Sequence, residues 1–286
     1  MNALRLWDEA LRGWAAPQEV LAAAPKEHHG FDVSLCNRLA AEGAGPPTPS
    51  RYRAREALPC GGTVLDVGCG VGAASLSLAT HPCEGTAASH PVLGRVVGVD
   101  QQQDMLTAFA ARAERLGIAH AEVQGRWPDM ASNTPEADVV VCHHVLYYVD
   151  ALAPFALALT AHARRRVVIE VPAEYPLAWL RPLWQRLHGL NRPDRPTIDD
   201  AVNALRELGL AVEVERWNDP SFPWRGRTSE LVAHVRSRLY LSQEYDTDIA
   251  ALLREFGLPR DGRPMATVWW PPTRHSVSHR RCKTRR

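Results

Sequence analysis

The 286-residue chain has no hydrophobic run long enough to cross a bilayer. Arg5, Asp8, Glu9 and Arg12 interrupt its first turns, so the apolar centre of an export signal is missing too. The six cysteines, at 36, 60, 69, 83, 142 and 282, contain no C-x-x-C pair. Neither a zinc site nor a disulfide framework is expected from that spacing, no metal is expected, and a reducing cytoplasm is the natural compartment. A basic face is also lacking. The formal charge is +1, but five basic residues stand within 279–286, and without them it falls to −4. Enzymes of nucleic acids usually carry a basic face on the folded body, so an RNA or DNA partner is disfavoured, and 275–286 reads as a basic disordered tail. With 45% hydrophobic residues, the chain can bury the core of one large domain with appendages.

What is present is concentrated at 63–72, which reads TVLDVGCGVG. Val64, Leu65 and Val67 make an apolar strand, and Ala73, Ala74, Leu76, Leu78 and Ala79 continue at helical spacing. Between them Gly68, Gly70 and Gly72, with Cys69, form a turn in which residues without a Cβ can take positive φ. Such a turn lets a ligand lie against main-chain N–H groups at a helix start. The glycines and Ala73 also satisfy the dinucleotide pattern G-x-G-x-x-A, so they do not choose between ligands. Asp66 does: a carboxylate at the lip of the turn repels a pyrophosphate and suits a cationic amino-acid end. The next apolar run, 96–100, closes on Asp100, placed to accept from two ribose hydroxyls. The ligand therefore reads as a nucleoside with a ribose and no phosphate.

Together with 137–149, ADVVVCHHVLYYV, the D-x-G-x-G-x-G stretch and Asp100 resemble the class I S-adenosylmethionine-dependent methyltransferases of small-molecule type, over about residues 48–217. The resemblance implies S-adenosylmethionine as cofactor. Gly68, Cys69, Gly70 and Gly72 would face its methionine and ribose part, Asp66 the amino-acid end, Asp100 the ribose, and Gln101 and Met105 the adenine. At the adenine edge relatives carry an acid after a glycine, whereas here Gly125 is followed by Arg126 and Trp127. Arginine cannot accept a hydrogen bond, so either Trp127 or Asp129 takes that role. His143 and His144 leave the fourth strand at the ligand end of the sheet. By strand alternation only one faces the ligand: His143 is expected as cofactor contact or base and His144 as packing, although His144 also stands with it as a catalytic candidate. Tyr147 and Tyr148 would line the acceptor cavity, with Tyr147 also a catalytic candidate. Glu170 is a weaker candidate that also reads as a capping or solvent-facing acid. The acceptor is expected to be small and partly apolar, with an unassigned O, N or C atom, because neither a metal-ligand cluster nor an N-P-P-Y motif appears. An RNA methyltransferase, a nicotinamide-dependent oxidoreductase and a non-catalytic cofactor-binding protein are the alternatives.

The expected fold is α/β, a Rossmann-like three-layer sandwich whose seven-stranded, mostly parallel sheet has an antiparallel last pair. A helical cap would cover 1–58, the cofactor-binding core 59–217, a helical insertion 218–263 and the last core strand 264–274. Helices are predicted over 151–163, 176–190, 198–208, 229–241 and 246–256, and strands over 166–171, 212–217 and 266–270. A surface loop is expected at 81–95, and core packing is the likelier work of Trp7 and Trp14.

Overall fold

The structure, a computed structural model, describes residues 2–25, 48–80, 93–149, 151–220 and 228–272. The expected tail at 275–286 and most of the expected loop at 81–95 lie outside them.

The chain opens with α1 (Ala3–Arg12), capped by the Asn2 side chain, and α2 (Gln18–Ala23). Next comes α3 (Pro49–Ala57), whose Thr48 cap accepts from Arg51 N and whose proline stands in the first turn, where a missing N–H costs nothing. The core then alternates: β1 (Gly62–Val67), α4 (Ala73–Leu76), β2 (Leu93–Asp100), α5 (Gln103–Arg115), β3 (Ala119–Gln124), β4 (Ala137–His143), α6 (Leu152–His162) and β5 (Ala163–Pro172). After β5 the 176–190 segment forms only a short 3-10 turn and α7 (Arg181–His188). The helix starts late because Pro182 fits only a first turn, and it stops at Gly189 in the left-handed region. Following α8 (Ile198–Glu207), with its Thr197–Asp200 capping box, are β6 (Glu213–Asp219), α9 (Thr228–Arg238), α10 (Asp246–Glu255) and β7 (Arg263–Trp270).

The seven strands form one sheet in the order β3-β2-β1-β4-β5-β7-β6. Pairs among β1 to β5 are parallel, while β7 runs antiparallel to both β5 and β6, as expected. One face carries α1, α6 and α8 over Leu65, Val140, Ile169 and Val268, with Trp7 fully buried among them. The other carries α3 and α5 over Val64, Val96, Val139, Val141, Val168 and Trp269. A third cluster joins Val20, Leu183 and Trp184 to Val235, Ile249 and Leu253, so α9 and α10 pack with α2 and α7 rather than alone. Truncating Trp7 to alanine would cost about 3–5 kcal/mol. Cys69 and Cys142 are free and buried. Cys60 is disulfide-bonded, which departs from the expected absence of disulfides.

Candidate active site

The glycine turn sits at the carboxyl end of β1, with φ of 70°, 49° and 78° at Gly68, Gly70 and Gly72. The three glycines serve different ends. A Cβ at Gly68 would stand 2.3 Å from Val145 Cγ2, and one at Gly72 2.6 Å from Leu76 Cδ1, so both permit close packing. A Cβ at Gly70 would meet nothing within 4 Å. Gly70 therefore faces open space while its N–H is directed inward, donating to Asp100 Oδ2 at 2.9 Å. Asp100 Oδ1 accepts from Gln102 N at 2.9 Å, so this carboxylate fastens the turn, and each oxygen keeps a lone pair for a further donor.

Asp66 is not at the lip of the turn. It lies beneath it, 1% exposed, because its parity in β1 turns it toward α4, where Ser75 Oγ donates to Oδ2 at 2.6 Å. Burial raises its pKa to about 7, Asp100 adds to the rise, and Ser75 opposes it. Gln101 is exposed and Met105 is buried at the start of α5. Gly125 N donates to Asp100 O at 2.9 Å, which brings the 125–127 run beside the turn, with Arg126 exposed.

Two aromatic expectations are corrected. Trp127 is a core residue: its ring meets His162 edge-on at 4.8 Å and its Nε1 donates to Phe155 O, so it has no face left for adenine. Tyr147 is equally committed, 3% exposed, donating to Pro172 O at 3.1 Å and packed against Trp7 and Tyr175. Burial pushes its hydroxyl far above the usual range, which removes it as a catalytic group. Tyr148 is 46% exposed.

The alternation argument for the histidines also fails, for a definite reason. His144 has φ of 61°, a left-handed conformation rare outside glycine, and this breaks the period of two at the strand end. Both imidazoles consequently converge on one carboxylate: His143 Nδ1 lies 3.8 Å and His144 Nε2 3.4 Å from Glu170 Oε1. Glu170 is neither a cap nor solvent-facing. It is 7% exposed, paired in register with His143 on one side and Thr267 on the other, and its Oε2 accepts from Thr48 Oγ1 at 2.8 Å. Burial works against its charge, but His143, His144 and Thr48 together hold its pKa well below the usual carboxylate range.

This row lies under α3. Ser50 and Thr267 share a hydrogen bond of 2.6 Å, and Arg53 reaches Glu215, the β6 partner of Thr267, at 3.0 Å. His143 is lowered by burial, offset by Glu170, and its Nε2 is buried with no hydrogen-bond partner. It is thus a neutral imidazole at pH 7, flanked by a carboxylate at Nδ1 and unsatisfied at Nε2. Because Val145 packs on Gly68, the end of β4 and the glycine turn are neighbours. Sequence reasoning undervalued Glu170 and missed Thr48 as a site residue. The only signal was an acid inside the otherwise apolar run 167–171.

Residues 60–166 match the methyltransferase domain family. Those residues are thus similar to a methyltransferase domain. Its cofactor is S-adenosylmethionine, which sets aside the dinucleotide reading of the glycine turn. The chain is 34% identical over 80 residues to a Pyrobaculum calidifontis protein assigned as a probable cobalt-precorrin-6B C(15)-methyltransferase (decarboxylating), a match covering 27% of this chain and 37% of that protein. The chain thus spans little more than a third of that relative. Two solved structures share the fold. The YcgJ protein of Bacillus subtilis is 15% identical with TM-score 0.52, covering 78% of this chain and 97% of that one. A candidate sarcosine dimethylglycine methyltransferase of Galdieria sulphuraria is 13% identical with TM-score 0.50, covering 92% and 98%. Among the described residues no helix is long and apolar enough to cross a membrane, and no cluster of metal-ligand side chains is present.

Proposed function

We propose that the enzyme methylates an O, N or C atom of a small, partly apolar acceptor in the cytoplasm, with His143 taking the proton and Glu170 holding the imidazole. The observation that carries this reading is the buried, unpartnered Nε2 of His143 beside the glycine turn. A buried acceptor nitrogen without a partner costs free energy, and a donor on the acceptor would remove that cost.

The residues fit the cofactor. The open side of Gly70, with the main chain of Gly68, Cys69 and Gly72, would receive the methionine and ribose part, and Asp100 the ribose hydroxyls. Asp66 would act on the amino-acid end from below the turn, and Gln101, Met105 and the main chain at Gly125 and Arg126 would border the adenine. When bound, S-adenosylmethionine supplies a methyl group already electrophilic on its sulfonium, so the protein must align the acceptor, exclude water and remove a proton. His143 Nε2 would accept that proton from the acceptor as the methyl arrives. Glu170 would then stabilise the imidazolium through Nδ1, and Thr48 fixes the carboxylate from α3. His144, half exposed in a strained conformation, would present a second polar edge to the acceptor.

Cofactor carrying a labelled methyl group, offered a small-molecule cell extract and total RNA in separate reactions, tests the acceptor class. Label should enter the small-molecule fraction, and His143→Ala should reduce it by roughly 10²–10⁴, the usual worth of a general base. Label entering RNA alone would overturn the small-molecule reading, which the body's charge of −4 outside 279–286 favours over RNA.

A further inference from the structure

Helix α3 starts at the end of the sheet where ligands bind, and it brings there a cation with which no described residue pairs. The helix runs antiparallel to β5: Thr48 at its start donates to Glu170 Oε2 at 2.8 Å, and Glu56 near its end pairs with Arg166 near the start of β5. Its first turn therefore stands at the carboxyl ends of the strands, in the row that holds His143. Ser50 fixes that turn on one side through its 2.6 Å hydrogen bond to Thr267, and Thr48 fixes it on the other.

Arg51 belongs to this turn. Its N–H donates at 3.3 Å to the same Thr48 Oγ1 that donates to Glu170, so one hydroxyl joins the Arg51 main chain to the carboxylate. Residues three apart share a flank of a helix, so the Arg51 side chain leaves on the side of Thr48. Arg53, two residues on, leaves by the opposite flank toward β7 and β6, where it lies 4.4 Å from the centre of the Trp269 ring and pairs with Glu215. Arg51 is thereby turned to the β4 side of Glu170, where His143 stands in register with that acid. Burial lowers its pKa and Glu170 supports its charge, while at His143 it adds to burial in opposing the imidazolium. The side chain is half-buried, and its guanidinium makes no hydrogen bond, ion pair or ring contact with the described residues. The groups around it are engaged: Arg55 with Leu58 O, Arg166 with Glu56 and Arg53 O, and Glu170 with Thr48 and the two imidazoles. The buried Nε2 of His143 is uncommitted as well.

We propose that the acceptor is an acid whose carboxylate is received by Arg51 of α3 while the atom to be methylated gives its proton to His143. A partly desolvated guanidinium without a partner suits a carboxylate, which it can meet with two parallel N–H···O bonds, and such charge-assisted bonds are the strong ones. The start of α3 adds partial positive charge at the same place. Glu170 cannot serve as the counter-ion, because its oxygens are already held by Thr48 and the imidazoles. Held at Arg51 and at His143, the acceptor is fixed at two points, which orients it toward the methyl group more sharply than apolar contact alone. The inference deepens the methyltransferase reading of the same site and rests on it.

The test uses the full chain loaded with S-adenosylhomocysteine and two probes of one shape, 3-hydroxybenzoate and 3-hydroxybenzamide, in titration calorimetry. The acid should bind at least tenfold tighter than the amide. Arg51→Gln should abolish that preference, and Arg51→Lys should restore part of it, since an ammonium keeps the charge but not the fork. Equal binding of acid and amide by the unaltered protein, or no binding of either, overturns the proposal. So does a preference for the acid that survives in Arg51→Gln, a variant that keeps its fold because the guanidinium bonds to none of the described residues. The cofactor has a carboxylate too, on its methionine end. If Arg51→Gln weakens S-adenosylhomocysteine tenfold or more but leaves 5′-methylthioadenosine, which lacks that end, unchanged, the guanidinium serves the cofactor, and this also overturns the proposal. Affinity of the unaltered protein for S-adenosylhomocysteine, measured first, reports separately on the methyltransferase reading, which fails only if that ligand does not bind.

Discussion

Replacing Glu170 by glutamine keeps the shape of the side chain and removes its charge, so it isolates what that charge does for His143. In the native protein burial disfavours the imidazolium and the carboxylate opposes that effect. Across the 3.8 Å from His143 Nδ1 to Oε1, a unit charge pair is worth about 4 kcal/mol at an effective dielectric of about 20. The gap exceeds a hydrogen bond, so the usable part is nearer the ~1.5–3 kcal/mol of a charged interaction. That range corresponds to a loss of about 10- to 150-fold in the transfer rate, smaller than for His143→Ala. The direction on pH is fixed as well. His143 must be neutral to accept a proton, so the acid limb of the rate lies below the ordinary histidine value of 6.5. Glu170→Gln removes the group that pulls this pKa upward, so the limb should move to still lower pH. An NMR titration of the His143 ring in both proteins measures the shift without an acceptor. A ring pKa that rises or stays put in Glu170→Gln would refute the coupling. Glu170 is also held below its ordinary 4.5, so its contribution to stability is complete above that pH and lost as the pH falls further. That acid loss in melting temperature should be weaker in the variant.

Asp100→Ala should weaken S-adenosylhomocysteine at least tenfold in titration calorimetry, because it removes both the ribose acceptor and the fastening of Gly70 N and Gln102 N. Gly70→Val should lose cofactor binding and also lower the melting temperature, since a β-branched residue is strained at φ 49° although its side chain enters open space, whereas Gly72→Val should cost more by also meeting Leu76 and Phe109. Asp66→Asn should raise the melting temperature more at pH 8 than at pH 5. A carboxyl raised from 3.8 to about 7 contributes stability that is complete below pH 3.8 and lost as pH rises through about 7, a term of roughly 4 kcal/mol. An equal effect of Asp66→Asn at both pH values would show that Asp66 is not held protonated by burial.

Those residues also show which parts of the site were legible in the sequence. The strand, turn and helix of 63–80 follow from local patterning, because three glycines between an apolar run and a helical period leave the backbone few alternatives. The parallel order and the antiparallel last pair followed from the resemblance that those motifs established. Asp66 was legible in kind and not in depth: the strand period that buries Val64 also buries position 66, and only the facing Ser75 shows how its carboxylate is satisfied there. Trp127 and Tyr147 were misread because a motif places a residue along the chain but does not say toward which layer its ring turns. Phe155 O and Pro172 O, which take their donors, come from elements 28 and 25 residues away. The cluster of His143, His144, Glu170 and Thr48 was the least legible part. It joins the ends of two neighbouring strands to a helix cap 122 residues away, and it depends on one left-handed residue that no propensity marks. Period-two reasoning sends 143 and 144 to opposite faces, and it holds only while the strand continues. The strand ends at His143, and the conformation at His144 is what makes one carboxylate serve two imidazoles.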